Sequence, residues 1–161
     1  MSSITRQIVI PLALVILLHA SVWAQSAADT NAIKPCSLLT EELVKKVSAA
    51  NNQGISAGPK EIQLGGSGAA CEWGDIILQI DPFTPSRFEE LRKTAGNSWE
   101  PVPGVGDAAY FHNIQDMIAE LFVRVGARTF GVVITIPVGK TAAEFKPNFI
   151  AVADAIVPKL R

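Results

Sequence analysis

The spacing of apolar residues changes period several times along this chain, and each period predicts an element. Leu39, Leu43, Val44 and Val47 return every three to four residues and form the stripe of a first helix. Thr40 stands at its start as an N-cap, with Glu41 and Glu42 in the first turn, where carboxylates meet the positive end of the helix dipole. The pattern fades at Asn51 and Asn52, and residues 54–59 read as loop. The run CEWGDIILQI alternates instead. A two-residue turn at Gly74 and Asp75 pairs Trp73 with Ile76 and Cys71 with Leu78, which puts Cys71, Trp73, Ile76, Leu78 and Ile80 on one face. Pro82 and Pro85 end that strand. Ser86 and Glu89 have capping-box spacing for a short helix that carries Phe88, Leu91 and Ala95 and stops at Gly96.

Residues 108–112 read as a strand, and AELFVRVGARTFGVVITI as a second hairpin. A turn at Gly126 and Ala127 pairs Val123 with Phe130 and Leu121 with Val132, so both apolar sets share a face with Val125, Ile134 and Ile136. The same register sets Phe122 opposite Gly131, where the ring can cover bare backbone. Thr141 and Glu144 form a second capping box. Pro147 then kinks or restarts a last helix bearing Phe149, Val152, Ala153, Ile156 and Leu160. The order is helix, hairpin, helix, three strands, helix. It predicts an α+β domain with a mainly antiparallel sheet of about five strands flanked by three helices.

The start of the chain changes the picture. Arg6 precedes an apolar run over residues 8–18, and Val22-Trp23-Ala24 presents the residues a signal peptidase reads. The run is about eleven residues, against roughly 20 for a spanning helix. The expectation is a signal peptide over 1–24 cut after Ala24, a mobile lead over 25–34, and a single α+β domain over 35–161. With no cysteine near the cut, no stable membrane anchor remains after cleavage. Export to the periplasm or beyond puts Cys36 and Cys71 in an oxidising compartment, where such a pair reads as a disulfide. Two free buried thiols are the alternative.

Charge excludes some partners. The net charge of −1, from 14 basic and 15 acidic residues, becomes −2 when Arg6 leaves with the signal. No basic footprint for nucleic acid or an anionic membrane is present. Two cysteines and His112, the one histidine beyond the cut, are too few ligands for a structural zinc.

Motifs for chemistry dissolve on inspection. Gly104, Gly106 and Ala109 have the spacing of a dinucleotide-binding loop. That loop needs a strand before it and a helix after it, whereas Pro101-Val102-Pro103 precedes and a strand-like run follows. A tight turn is the better reading, with Gly104 and Gly106 at positive φ and Asp107 bonding its neighbouring backbone. Residues 54–58, GISAG, match a nucleophile elbow around Ser56, but Pro59 and an asparagine-rich approach do not make the strand-to-helix turn it requires. His112 reads as an exposed strand-end residue, and the carboxylates as caps and turn residues. No catalytic residue, cofactor or metal site is assigned.

The aromatics carry more. Trp99 lies in a proline-bounded extended stretch, outside any core pattern. Tyr110 shares a strand face with His112, and Phe122 shares the non-core face of the next strand with Arg124. If those faces coincide, Trp99, Tyr110, Phe122 and Arg124 line an amphipathic cleft; a covering helix is the alternative. The expectation is a non-enzymatic binding or sensor-like module for an unknown small ligand or envelope protein. A small secreted hydrolase using Ser56 or a carboxylate pair, or an envelope accessory protein, is the alternative.

PCSLLTEELV at 35–44, CEW at 71–73 and VPGVGDAAYF at 102–111 resemble a family of secreted bacterial lipoproteins of unknown function. More distantly, the chain is similar to the extracytoplasmic sensor domains of bacterial Ser/Thr kinases. The resemblance implies a Cys36–Cys71 disulfide and a helix-flanked antiparallel sheet, and it brings no catalytic residues. The lipid-bearing cysteine of the family is missing here, as are the additional disulfides and membrane helix of the kinase domains.

Overall fold

The computed structural model describes residues 33–50, 58–64, 68–94 and 98–161. The segment expected to be a signal peptide, and most of the expected lead, lie outside the described residues. A single compact unit spans Ile33–Arg161.

Among the described residues, seven strands form one antiparallel sheet, accompanied by four helices. In chain order they are α1 (Pro35–Leu38), α2 (Glu41–Ala50), β1 (Lys60–Gln63), β2 (Ala69–Trp73), β3 (Ile76–Ile80), α3 (Pro85–Thr94), β4 (Trp99–Pro101), β5 (Ala108–Ile114), β6 (Ile118–Val125), β7 (Arg128–Thr135) and α4 (Ala142–Leu160). The sheet order is β1-β2-β3-β7-β6-β5-β4, so the two hairpins meet where β3 pairs with β7. The α+β class is as expected, while two strands and one helix exceed the expected number. The extra strands are the two edges. β1 reads KEIQ, three of its four side chains exposed, and β4 is three residues ending in Pro101. An edge strand needs no apolar alternation, and charge or proline there blunts pairing with other chains. Neither therefore leaves a periodic signal.

Both hairpin registers follow the alternation. Trp73 pairs with Ile76 and Cys71 with Leu78; Val123 pairs with Phe130 and Leu121 with Val132. One sheet face is a continuous core, in which Cys71, Ile76, Leu78, Leu121, Val123, Phe130, Val132 and Ile134 are fully buried. α4 covers that face through Phe149, Val152, Ala153 and Ile156, and Val44 and Val47 of α2 join the same cluster. Burying such side chains is the main favourable term in folding, about 1.5–3 kcal/mol each.

Local details differ in instructive ways. Leu39 belongs to the stripe by burial but closes α1 rather than opening α2. Thr40 does cap α2, accepting the Leu43 N–H at 3.3 Å. The cap of α3 is Thr84, not Ser86: its hydroxyl accepts the Arg87 N–H at 3.2 Å and its carbonyl the Phe88 N–H at 2.9 Å. Pro85 then takes the first helical position, where a missing N–H costs nothing. The expected stop at Gly96 lies outside the described residues. α4 runs unbroken through Pro147, so the helix does not restart there. The Glu144 carboxylate accepts the Thr141 N–H at 3.2 Å, as a capping box requires.

Cys36 of α1 is bonded to Cys71 of β2, with an S–S distance of 2.07 Å and Cα atoms 4.9 Å apart. No free cysteine is present among the described residues. The bridge fastens the first helical turn to the core face of the sheet. Closing a loop of sequence separation 35 stabilises the fold by about 4 kcal/mol in the chain-entropy model.

Candidate functional site

The opposite face of the sheet is less completely covered, and there the expected site residues meet. Alternation along each strand puts Tyr110 and His112 of β5, Glu120, Phe122 and Arg124 of β6, Gly131 and Val133 of β7, and Ile77 and Gln79 of β3 on this face. Cross-strand pairing orders them in rows. One row runs Glu72, Ile77, Val133, Glu120, His112, Trp99; the next runs Gln79, Gly131, Phe122, Tyr110, Pro101.

A loop clamped to β7 decides how much of this face α3 covers. Asp81 exchanges backbone contact with Thr129, its N–H donating to the Thr129 carbonyl at 2.7 Å. The Asp81 carboxylate accepts from the Thr129 N–H at 3.1 Å and from the Arg128 guanidinium. The Thr129 hydroxyl donates to the Phe83 carbonyl at 2.6 Å. Thr129 is thus a buried polar residue with its hydrogen bonds made. The clamp aims Phe83 onto Phe122, ring centroids 5.1 Å apart, and starts α3 over the sheet. Phe88 of α3 is 2% exposed and rests on Tyr110 at 5.7 Å. Glu89 lies 3.7 Å from the Arg124 Nε.

Phe122 therefore sits beneath this cover, at 5% exposure, while Trp99 and Tyr110 stay half-buried and the Arg124 side chain is 32% exposed. Trp99 leans from the edge strand across β5. Its indole stacks on His112 at 5.0 Å and on Phe122 at 5.4 Å, with interplanar angles of 14° and 21°. Trp99 and Phe122 share one ring stack with His112 and Phe83, Tyr110 stands opposite Phe122 and carries Phe88, and Arg124 is held by Glu89. α3 and its lead lie over Tyr110, Phe122 and Arg124, as in the covering-helix alternative, while Trp99 and His112 in the next row are half-buried.

His112, read from the sequence as an exposed strand-end residue, and Glu120, which the pattern did not single out, are also members of this site. His112 is in the middle of β5 rather than at a strand end, and its Nδ1 lies 3.1 Å from the Glu120 carboxylate. Both side chains are 21% exposed. Their pairing was legible in principle, because a two-strand turn near Asp116 places them directly opposite. What hid it was the assumption of a shorter strand. Chemically the pair and the indole offer a flat aromatic surface beside hydrogen-bonding groups of acidic character.

Other candidates take different places. Residues 104–107 form a turn before β5, with Val102 and Val105 buried. Asp107 does not bond its neighbours: its carboxylate accepts the Gly126 N–H at 2.6 Å, tying this turn to the β6–β7 turn. Ser56 lies outside the described residues. Among the described residues no group of three or more His, Cys, Asp or Glu is placed to hold a metal ion. A cleft of about 270 Å³ between α2 and α4 is lined by Thr40, Leu43, Lys46, Ala151 and Lys159. Another of about 350 Å³ lies by the β6–β7 turn and Arg161. Neither reaches the aromatic cluster. Among the described residues no helix is long and apolar enough to cross a membrane. No protein-family model, no curated protein and no solved structure matches the chain.

Proposed function

We propose that this chain is an exported, non-enzymatic binding or sensor-like module that engages its ligand or partner on the α3 side of the sheet. The observation that carries the reading is Trp99. It is a large aromatic residue on a three-residue edge strand, leaning over His112 and Phe122 and only half-buried, in the same row as His112 and Glu120. Core packing alone would bury such a ring, and amphipathic aromatic surfaces of this kind suit recognition. The Cys36–Cys71 bridge is compatible with an oxidising compartment, as is the leader pattern over 1–24. The resemblance to secreted bacterial lipoproteins and to kinase sensor domains points the same way.

The test is a ligand screen on protein purified from the periplasm, read by thermal shift and confirmed by calorimetry. Trp99→Ala should remove saturable binding while the circular dichroism spectrum stays native. Labelling of Ser56 by a serine-directed active-site probe, with turnover lost in Ser56→Ala, would replace this reading by the hydrolase alternative.

A further inference from the structure

Among the described residues the exposed large hydrophobic side chains are Met117, Ile118 and Val138, at 56%, 37% and 105% exposure. They are not scattered. Met117 closes the β5–β6 turn, Ile118 opens β6, and Val138 lies in the β7–α4 connection. The two segments are joined: the Ile136 N–H donates to the Met117 carbonyl at 2.8 Å, and the Ala142 N–H to the Asp116 carboxylate at 3.0 Å. Single exposed apolar residues need no explanation, but a cluster at one end of a domain does.

This apolar end continues onto the half-open sheet face. Ile118 pairs with Ile114 and Thr135, one row beyond His112, Glu120 and Val133. Ile114, Val133, Ile77 and Trp99 are all half-buried. The contacts of α3 and its lead fall on Tyr110, Phe122 and Arg124, on the far side of the Glu120 row. Half-buried or exposed apolar residues thus run in a band along this face from Ile114 and Ile118 through Val133 to Ile77, with Met117 and Val138 at its end. Two carboxylates punctuate it, Glu120 and Glu72, three strand spacings or about 14 Å apart. Glu72 has no ion-pair partner among the described residues, and Glu120 has only His112. Lys60, at the β1 edge, stands directly opposite Glu72 without forming an ion pair and is the one basic residue in these rows.

Resting on the binding-module reading above, we propose that this band docks an amphipathic, cationic segment of a partner protein. Aliphatic side chains of the partner cover Met117, Ile118, Val138 and Val133, and a lysine or arginine meets Glu120 and Glu72. Charge selects this occupant. A second copy would set the same carboxylates against one another about a two-fold axis, and an anionic membrane would meet acidic groups beside the apolar tip.

The full exported chain should be titrated with a synthetic Leu/Lys amphipathic peptide, its Leu/Glu counterpart, and vesicles of phosphatidylglycerol, with NMR as readout. The Leu/Lys peptide should shift the Trp99 indole, His112 and the Met117 methyl, and bind less well as salt rises. Glu72→Gln/Glu120→Gln should weaken that binding by about tenfold with the melting temperature kept, as loss of a charge pair at an interface does. Met117→Ser/Val138→Ser should weaken it through the apolar tip. Equal binding of the Leu/Glu peptide, vesicle binding through Met117, or dimerisation lost in Met117→Ser would each overturn the proposal. If no peptide binds but a small molecule saturates at Trp99, this inference fails and the binding-module reading survives. If nothing binds this face, both fail.

Discussion

Two glycines separate conformational cost from steric cost. Gly104 and Gly106 both have positive φ, +84° and +58°, and a side chain at either is strained. They differ in surroundings. A Cβ at Gly104 meets nothing within 4 Å, whereas one at Gly106 would lie 2.6 Å from both the Arg124 carbonyl and Val123 Cγ1. Gly104→Ala should therefore cost about 1 kcal/mol from backbone strain, and Gly106→Ala about 1–3 kcal/mol more from overpacking. Urea unfolding of the two variants checks the order; equal costs would remove the steric argument. Phe122 poses the matching question in the aromatic cluster. Its ring lies over Gly131, where a Cβ would come within 2.6 Å of the ring edge. With Phe83 and Trp99 also against it, Phe122→Ala should destabilise by about 3–5 kcal/mol. Gly131→Ala should also be destabilising, and less so when Phe122 is already truncated. A double-mutant cycle without such coupling would show the contact to be unimportant.

Among the elements, α4 has a first turn whose capping carboxylate responds to pH. The Glu144 carboxyl is held below its usual range, first by the Lys140 ammonium at 3.0 Å and then by the Thr141 N–H. A depressed carboxyl pKa stabilises the fold above the ordinary glutamate value and loses that contribution as pH falls through the lowered one. Acid should accordingly loosen the first turn of α4 only below the normal glutamate range. The Glu144 carboxyl carbon followed by NMR should titrate at lower pH than a free glutamate, and Lys140→Ala should return its midpoint upward. An unchanged midpoint in that variant would assign the effect to the backbone instead. The pair is exposed, so its consequence is local fraying and not global unfolding.

At the scale of the whole molecule the disulfide is the simplest lever. It joins α1 to β2 across a sequence separation of 35, so reduction frees the first helical turn from the core. With about 4 kcal/mol at stake in a domain whose whole stability is of order 5–15 kcal/mol, reduction should lower the melting temperature by several degrees or more. Calorimetry with and without a reductant measures this; an unchanged melting temperature would mean that the strapped segment adds little to the cooperative unit.

The alternating pattern by itself determined both hairpin registers, because a one-residue slip would turn Leu78, Val123, Phe130 and Val132 out of the core. It also located α2 and α4, whose apolar stripes and caps are local features. The pairing of Phe122 with Gly131 followed from the same count. Tertiary structure decided the rest. Edge strands β1 and β4 exist because a neighbour offers hydrogen bonds, not because their own residues alternate. Asp107 reaches Gly126, a partner 19 residues away, which no local turn rule can anticipate. The candidate surface is likewise non-local. The Asp81–Thr129 clamp places α3 over Phe122 but short of Trp99, His112 and Glu120. Which aromatic rings are sealed and which stay open depends on where one short helix crosses a sheet, and that is set by contacts between residues nearly fifty positions apart.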